Sequence, residues 1–160
     1  MVTEAHADSS RLDPAPSTAA VLSHPIHPML IPFPLALLVG ALATDLAFWG
    51  TADVFWARAS LWLIGAGVVM GLIAAAFGLI DFLTVARARE LAMGWIHALG
   101  NGAALALSLI NWVLRLDDPA SAILPWGLVL SLLVAGMLGI TGWAGGELSY
   151  RHRIGVMRER

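Results

Sequence analysis

Leu30-Ile31-Pro32-Phe33-Pro34-Leu35-Ala36-Leu37-Leu38-Val39-Gly40-Ala41-Leu42-Ala43-Thr44-Asp45-Leu46-Ala47-Phe48-Trp49 carries a single charge, Asp45. A run of about 20 apolar residues is what an α-helix needs to cross the hydrocarbon core of a bilayer. Three more such runs follow, at about 57–83, 91–116 and 121–143. Composition points the same way. The chain is 59% hydrophobic and 12% charged, with a mean hydropathy of +0.80, where soluble domains are about 45–50% apolar and about a quarter charged.

The runs are separated by short turns: Gly50-Thr51-Ala52-Asp53, the arginine-bearing segment 84–90, and Leu116-Asp117-Asp118-Pro119-Ala120. Connections this short make sequential helices antiparallel neighbours. The expectation is an all-α, four-span membrane bundle with both termini on one side. Residues 1–22, with Glu4, Asp8, Asp13 and two prolines, lack the pattern of a cleaved signal and read as a flexible tail; 157–160 reads as a short basic tail. Gly67 and Gly71 form a small-xxx-small pair in the second span. Gly136, Gly139 and Gly142 line one side of the fourth, and both patterns suggest close helix contacts, within the bundle or with a second copy.

Several functions are disfavoured at once. Cysteine is absent, so this chain offers no disulfide, thiolate metal site or iron–sulfur cluster. A net charge of −2 gives no reason to expect nucleic acid as a partner. No serine sits in a Gly-x-Ser-x-Gly setting, which argues against a hydrolase. No Glu-x-x-His pair is present, which argues against a ferritin-like di-iron centre. No mid-membrane charge or broken-helix repeat marks a transport path.

The basic residues, all arginine, are unevenly distributed. Arg11, Arg87, Arg89, Arg151, Arg153, Arg158 and Arg160 fall on the side holding the termini, and Arg58 and Arg115 on the other. The positive-inside rule then puts both termini in the cytoplasm. Asp45 and Arg58 flank the first turn at similar depth and are expected to form a structural ion pair there.

Polar residues collect at the terminal side. His24 and His27 precede the first span, Asp81 closes the second, His97 and Asn101 open the third, and Glu147, Tyr150 and His152 close the fourth. Ionisable groups inside a membrane are costly and seldom face lipid, so Asp81 and His97 should face the bundle or each other. Pro25, Pro28, Pro32 and Pro34 remove N–H donors and leave irregular backbone, tolerated at membrane depth only against protein or a polar cavity. The His24-Pro25-Ile26-His27-Pro28 stretch is therefore expected to wall a polar chamber.

The pattern His24-Pro25-x-His27-Pro28-x-Leu30-x-x-Phe33-Pro34, with Gly78-x-x-Asp81, His97-x-x-x-Asn101 and Gly145-Gly146-x-Leu148-x-Tyr150, resembles the bacterial membrane family catalogued as domain of unknown function 2231. The resemblance spans about residues 22–156. It implies four spans in the inner membrane, and an association of some relatives with Rieske iron–sulfur domains implies a Rieske-type redox partner.

Two classes of function follow. In the first, His24, His27, His97 and His152, with Asp81 and Glu147, supply imidazole and carboxylate ligands suited to Fe, Zn or Mn. A variant has His27 and His97 on facing helices holding haem b. Either would serve membrane electron transfer, with Asn101 and Tyr150 as supporting polar groups. In the second, the same residues form a metal-free hydrogen-bonded or proton-relay network within a membrane complex.

Overall fold

In the computed structural model, which describes residues 13–156, each of the four apolar runs forms a helix long enough to cross a bilayer. The lead-in is a two-residue hairpin, β1 (Ala20–Val21) paired antiparallel with β2 (His24–Pro25), followed by a single helical turn, α1 (Ile26–Leu30). The spans are α2 (Pro32–Thr51), α3 (Val54–Thr84) and α5 (Ala92–Leu114), with α4 (Ala86–Glu90) as a short link. The fourth span starts with α6 (Pro119–Ala122), passes a kink at Ile123–Gly127, and continues as α7 (Leu128–Gly146) into a last π turn, Glu147–Arg151. Leu124 is non-helical and its bond to Pro125 is cis, so this span bends where it enters the bundle.

Local chemistry sets the boundaries. Ala52 takes a left-handed conformation (φ 54°) and ends α2, and Asp53 caps α3 by accepting from the Phe55 N–H at 2.9 Å. Asp118 caps α6 by accepting from the N–H groups of Ala120 and Ser121, with Pro119 in the first turn. These bonds hold the exposed Asp118 carboxyl below the usual carboxylate range.

α2 packs on α3 and α7, and α5 packs on the same two helices, so the spans close into a ring of antiparallel neighbours. The inside is built from small and polar residues: Ala41, Ala57, Ala74, Ala104 and Ala144, with Ser60, Ser108 and Ser131, are buried. Leu38, Ile64, Val68 and Val134 add an apolar centre. The large apolar side chains point outward, among them Leu46, Trp62, Leu72, Leu99, Leu132 and Ile140. A water-soluble bundle would be arranged the other way round. With lipid outside, large side chains gain little by turning inward, and close packing of small residues supplies the helix contacts.

The far end of the bundle corrects the expected ion pair. Asp45 is fully buried and bonds Arg115, not Arg58: Arg115 Nη1 donates to Oδ1 at 2.5 Å and Nη2 to Oδ2 at 2.7 Å. Arg58 is exposed. Ser60 and Ser131 each donate to one carboxylate oxygen at 2.6 Å, and Asn111 Oδ1 accepts from Arg115 Nε at 2.9 Å. Every span therefore contributes to one closed network. The physical reason is direction. Arg58 lies on the outward face of α3, whereas Arg115 follows Ser108 and Asn111 at i+7 and i+4, on the inward face of α5.

The small-residue motifs divide. A Cβ on Gly67 would lie 2.8 Å from Leu38, so that glycine serves α2–α3 contact, but a Cβ on Gly136, Gly139 or Gly142 would meet no neighbouring atom within 4 Å. No helix of the described chain covers that face of α7. Near the span ends, Trp49, Trp95 and Trp143 are exposed and Trp56 is half-buried, the placement that suits tryptophan at a membrane interface.

Candidate functional site

At the opposite end, two imidazoles meet. His27 and His97 pack edge to face, with ring centres 6.0 Å apart and planes at 88°. His27 Nδ1 lies 2.7 Å from the Ala74 carbonyl of α3, and His97 Nδ1 2.9 Å from the Thr141 carbonyl of α7. A carbonyl can only accept, so each Nδ1 carries the proton and donates it. Each Nε2 then carries the lone pair, and neither has a hydrogen-bond partner among the described residues.

Both carbonyls lie inside helices, where they already accept a main-chain bond, so each ring adds a second donor to a group with two lone pairs. Getting a ring that close to a helix needs a neighbour without a side chain. A Cβ on Gly78 would come within 2.7 Å of His27, and one on Gly145 within 2.8 Å of His97. These two glycines are cradles for the imidazoles. Gly78 lies one turn beyond Ala74, and Gly145 one turn beyond Thr141, the i,i+4 spacing that places them on one face.

Asn101 completes the His97 side. Its Nδ2 donates to the His97 carbonyl at 2.8 Å, and its Oδ1 accepts from Thr141 Oγ1 at 3.0 Å. His97, Asn101 and Thr141 thus tie α5 to α7. The sequence pointed to His97, Asn101 and, within the family-like pattern, Gly78, but not to Thr141 or Ala74. Only a carbonyl acts at Ala74, and no side-chain pattern reveals that.

The remaining candidates are placed elsewhere. Asp81 accepts from Ser17, Thr18 and Ala19 and makes no bond to His97. Residues 13–22, expected as flexible tail, are folded against α3 through these bonds; the rest of that tail, 1–12, and the basic tail, 157–160, lie outside the described residues, with Arg11, Arg158 and Arg160. His24 is exposed, its Nδ1 bonding the Leu22 carbonyl at 2.8 Å. Glu147 pairs with Arg151 at 2.7 Å, one turn on. Tyr150 is 91% exposed, and the half-buried His152 donates its backbone N–H to the Glu147 carbonyl. Among the described residues, no three His, Cys, Asp or Glu side chains gather as a metal cage. The expected chamber is thus reduced to two imidazoles and an amide.

Sequence order hides the far-end network, because Arg115 adjoins the Leu116–Ala120 turn and reads as part of it. Spacing carried the signal. Asp45 follows His27, and Arg115 follows His97, by eighteen residues, which is five full helical turns and about 27 Å. The histidine and the charge therefore share one face in each span.

A family model described as "Predicted membrane protein (DUF2231)" matches residues 23–158. The chain belongs to that family. The matched region includes all four spans, both histidines of the pair and the Asp45–Arg115 network. No curated protein and no solved structure matches it.

Proposed function

We propose that this DUF2231 protein is a membrane redox component in which His27 and His97 hold the iron of a haem b. The observation that carries the reading is the matched state of the two rings. Each Nδ1–H is anchored on a backbone carbonyl and each Nε2 is left as a lone-pair donor, the arrangement that orients histidine ligands and raises their basicity. The two rings come from different spans, with centres 6.0 Å apart, so His27 and His97 are the residues that would hold the iron.

The donor set also chooses among metals. Protein sites for Zn, Mn or non-haem Fe draw three or four side-chain ligands, whereas a haem asks the protein for only axial ligands. Bound there, haem would supply one-electron exchange. The chain's own part is to hold the two rings: Ala74 and Thr141 through their carbonyls, Gly78 and Gly145 through the missing side chains, and Asn101 by fixing α5 against α7. The natural partner for such a centre is another membrane redox protein, for which a Rieske-type protein is the family-based candidate.

A cytoplasmic location for this end, in a bacterial inner membrane, is supported by arginine placement. Arg87, Arg89, Arg151 and Arg153 lie at the histidine end, while Arg115 at the other end is buried and only Arg58 is exposed. Because the chain has no cysteine, single cysteines at Thr18 and Asp117 can report sidedness by labelling of intact cells; labelling of Thr18→Cys from outside would reverse the orientation.

The test of function is the spectrum of the purified protein. The reading requires a reducible haem band at about one haem per chain, lost in His27→Ala and in His97→Ala with helix content retained. A haem-replete preparation showing no such band sinks it. The bonds joining His97, Asn101 and Thr141 favour a second reading, a metal-free network that closes the bundle end. That reading takes over if both variants lose assembly and no cofactor is found.

A further inference from the structure

We infer that Asp81 is a positioning residue for His27, acting through residues 13–22 as a strap. The inference rests on the proposed reading only for what the positioned ring would bind; the positioning itself is a property of the chain.

His27 needs external support. It sits in the opening turn, α1, of the first span, Ile26–Thr51, where a helix end has few main-chain bonds of its own. Pro32 and Pro34, which have no N–H, interrupt the ladder that would join α1 to α2, leaving Ile31 N–H to the His27 carbonyl and Leu35 N–H to the Ile31 carbonyl. On the other side, the hairpin turn holds Leu22 and Ser23 at φ 48° and 66°, left-handed values that non-glycine residues keep only when surrounding contacts impose them.

One face of α3 supplies those contacts. Ala74, Gly78 and Asp81 follow at i, i+4 and i+7. Ala74 takes the His27 Nδ1–H, Gly78 receives the ring, and Asp81 takes the strap. The Asp81 carboxylate accepts from Ser17 Oγ at 2.6 Å, Thr18 N at 2.8 Å, Thr18 Oγ1 at 3.1 Å and Ala19 N at 2.9 Å. The Ala19 carbonyl then accepts from Ile26 N at 2.9 Å. Ile26 is the residue before His27, so two hydrogen bonds run from the carboxylate to the backbone next to the His27 ring.

The strap is fastened separately at its start. Ala15 N bonds the Arg153 carbonyl at 3.0 Å, Gly155 N bonds the Ala15 carbonyl at 2.8 Å, and Arg87 bonds the Asp13 carbonyl. Removing the Asp81 carboxylate therefore takes away four of the five bonds that tie Ser17–Ala19 to α3, leaving Thr18 Oγ1 on Thr84 Oγ1, and loosens the middle of the strap and α1 without detaching the segment. Ala19, which is buried, would be left with its N–H unpaired, which favours release, while Ser17 keeps the Ala19 carbonyl as an acceptor. An amide at position 81 offers one acceptor oxygen and turns N–H groups toward donors.

The test uses the full chain in lipid nanodiscs and distances between paired spin labels. Exposed Met29 on α1 and Leu72 on α3 report on His27's turn, and exposed Leu99 on α5 and Ile140 on α7 serve as the control. Asp81→Asn should widen the Met29–Leu72 distance distribution roughly twofold, as local release does, and leave Leu99–Ile140 unchanged. Asp81→Glu, which keeps a carboxylate, should restore most of it. The double variant Ser17→Ala/Thr18→Val, which leaves α3 untouched, should widen it too, so the inference stays testable if Asp81→Asn fails to fold. An unchanged Met29–Leu72 distribution in both, or equal widening at the control pair, overturns the inference. No bound iron is needed. A haem-free protein in which only the α1 distance responds upholds Asp81's role and overturns the haem reading alone.

Discussion

Replacing Asp45 by Asn keeps the shape of the side chain and removes the charge that Arg115 faces. The guanidinium makes two parallel bonds to the carboxylate, at 2.5 and 2.7 Å, with both side chains fully buried. At about 1.5–3 kcal/mol for each charge-assisted bond, the loss comes to about 3–6 kcal/mol, in line with about 3–5 kcal/mol for breaking a buried ion pair by removing one partner. Ser60 and Ser131 would then donate to an amide with a single acceptor oxygen. Unfolding in mixed micelles, followed by the fluorescence of the seven tryptophans, measures the change. Asp45→Asn and Arg115→Gln should each cost on that scale. Asp45→Leu/Arg115→Met together should recover much of it, because no charge is left buried. Arg58→Gln should stay within about 0.5 kcal/mol, as for a surface change. If Arg58→Gln cost as much as Arg115→Gln, the reasoning from inward and outward faces would be refuted.

Gly145→Ala puts a Cβ 2.8 Å from His97, so the ring must shift and lose its bond to the Thr141 carbonyl; a cost of about 1–3 kcal/mol is expected, with a changed His97 nitrogen signal in a histidine-labelled spectrum. Gly136→Ala, where nothing lies within 4 Å, is the matched control and should be stability-neutral. Ser131→Ala removes the hydroxyl that bonds Asp45 and accepts from Asn111, with an expected loss of about 1–3 kcal/mol in the same unfolding assay. The Asp118 carboxyl is held below its ordinary value by bonds from Ser121 and Ala120. Its contribution is therefore complete above the unfolded carboxylate value and is lost as pH falls through the lower folded one. The protection of the Ala120 and Ser121 amides, their hydrogen exchange measured against the intrinsic rate at each pH, should fall on acidification, and Asp118→Ala should remove that pH response.

Much of the fold was legible because a bilayer imposes a length and a composition on each span, and both can be read along a line. The four helices, their antiparallel order and the interfacial tryptophans follow from those two constraints. The histidine end was legible in part: Pro25 to Pro34 marks irregular backbone, and His97 and Asn101 share a helical face four residues apart. Which groups those side chains meet was not legible. Asp81 was expected to face the bundle or His97, yet the strap reaches it first, because Ser17, Thr18 and Ala19 bring several donors to one carboxylate. Arg58 was nearer to Asp45 in sequence than Arg115, yet it points to the outside. Sequence by itself determined that this chain crosses a membrane four times and concentrates its histidines at one end. Tertiary structure alone decided the partners, pairing His27 with His97 and Asp45 with Arg115. A hydrogen bond requires atoms brought together from separate helices, and a backbone carbonyl such as that of Ala74 or Thr141 leaves no mark in the amino-acid code.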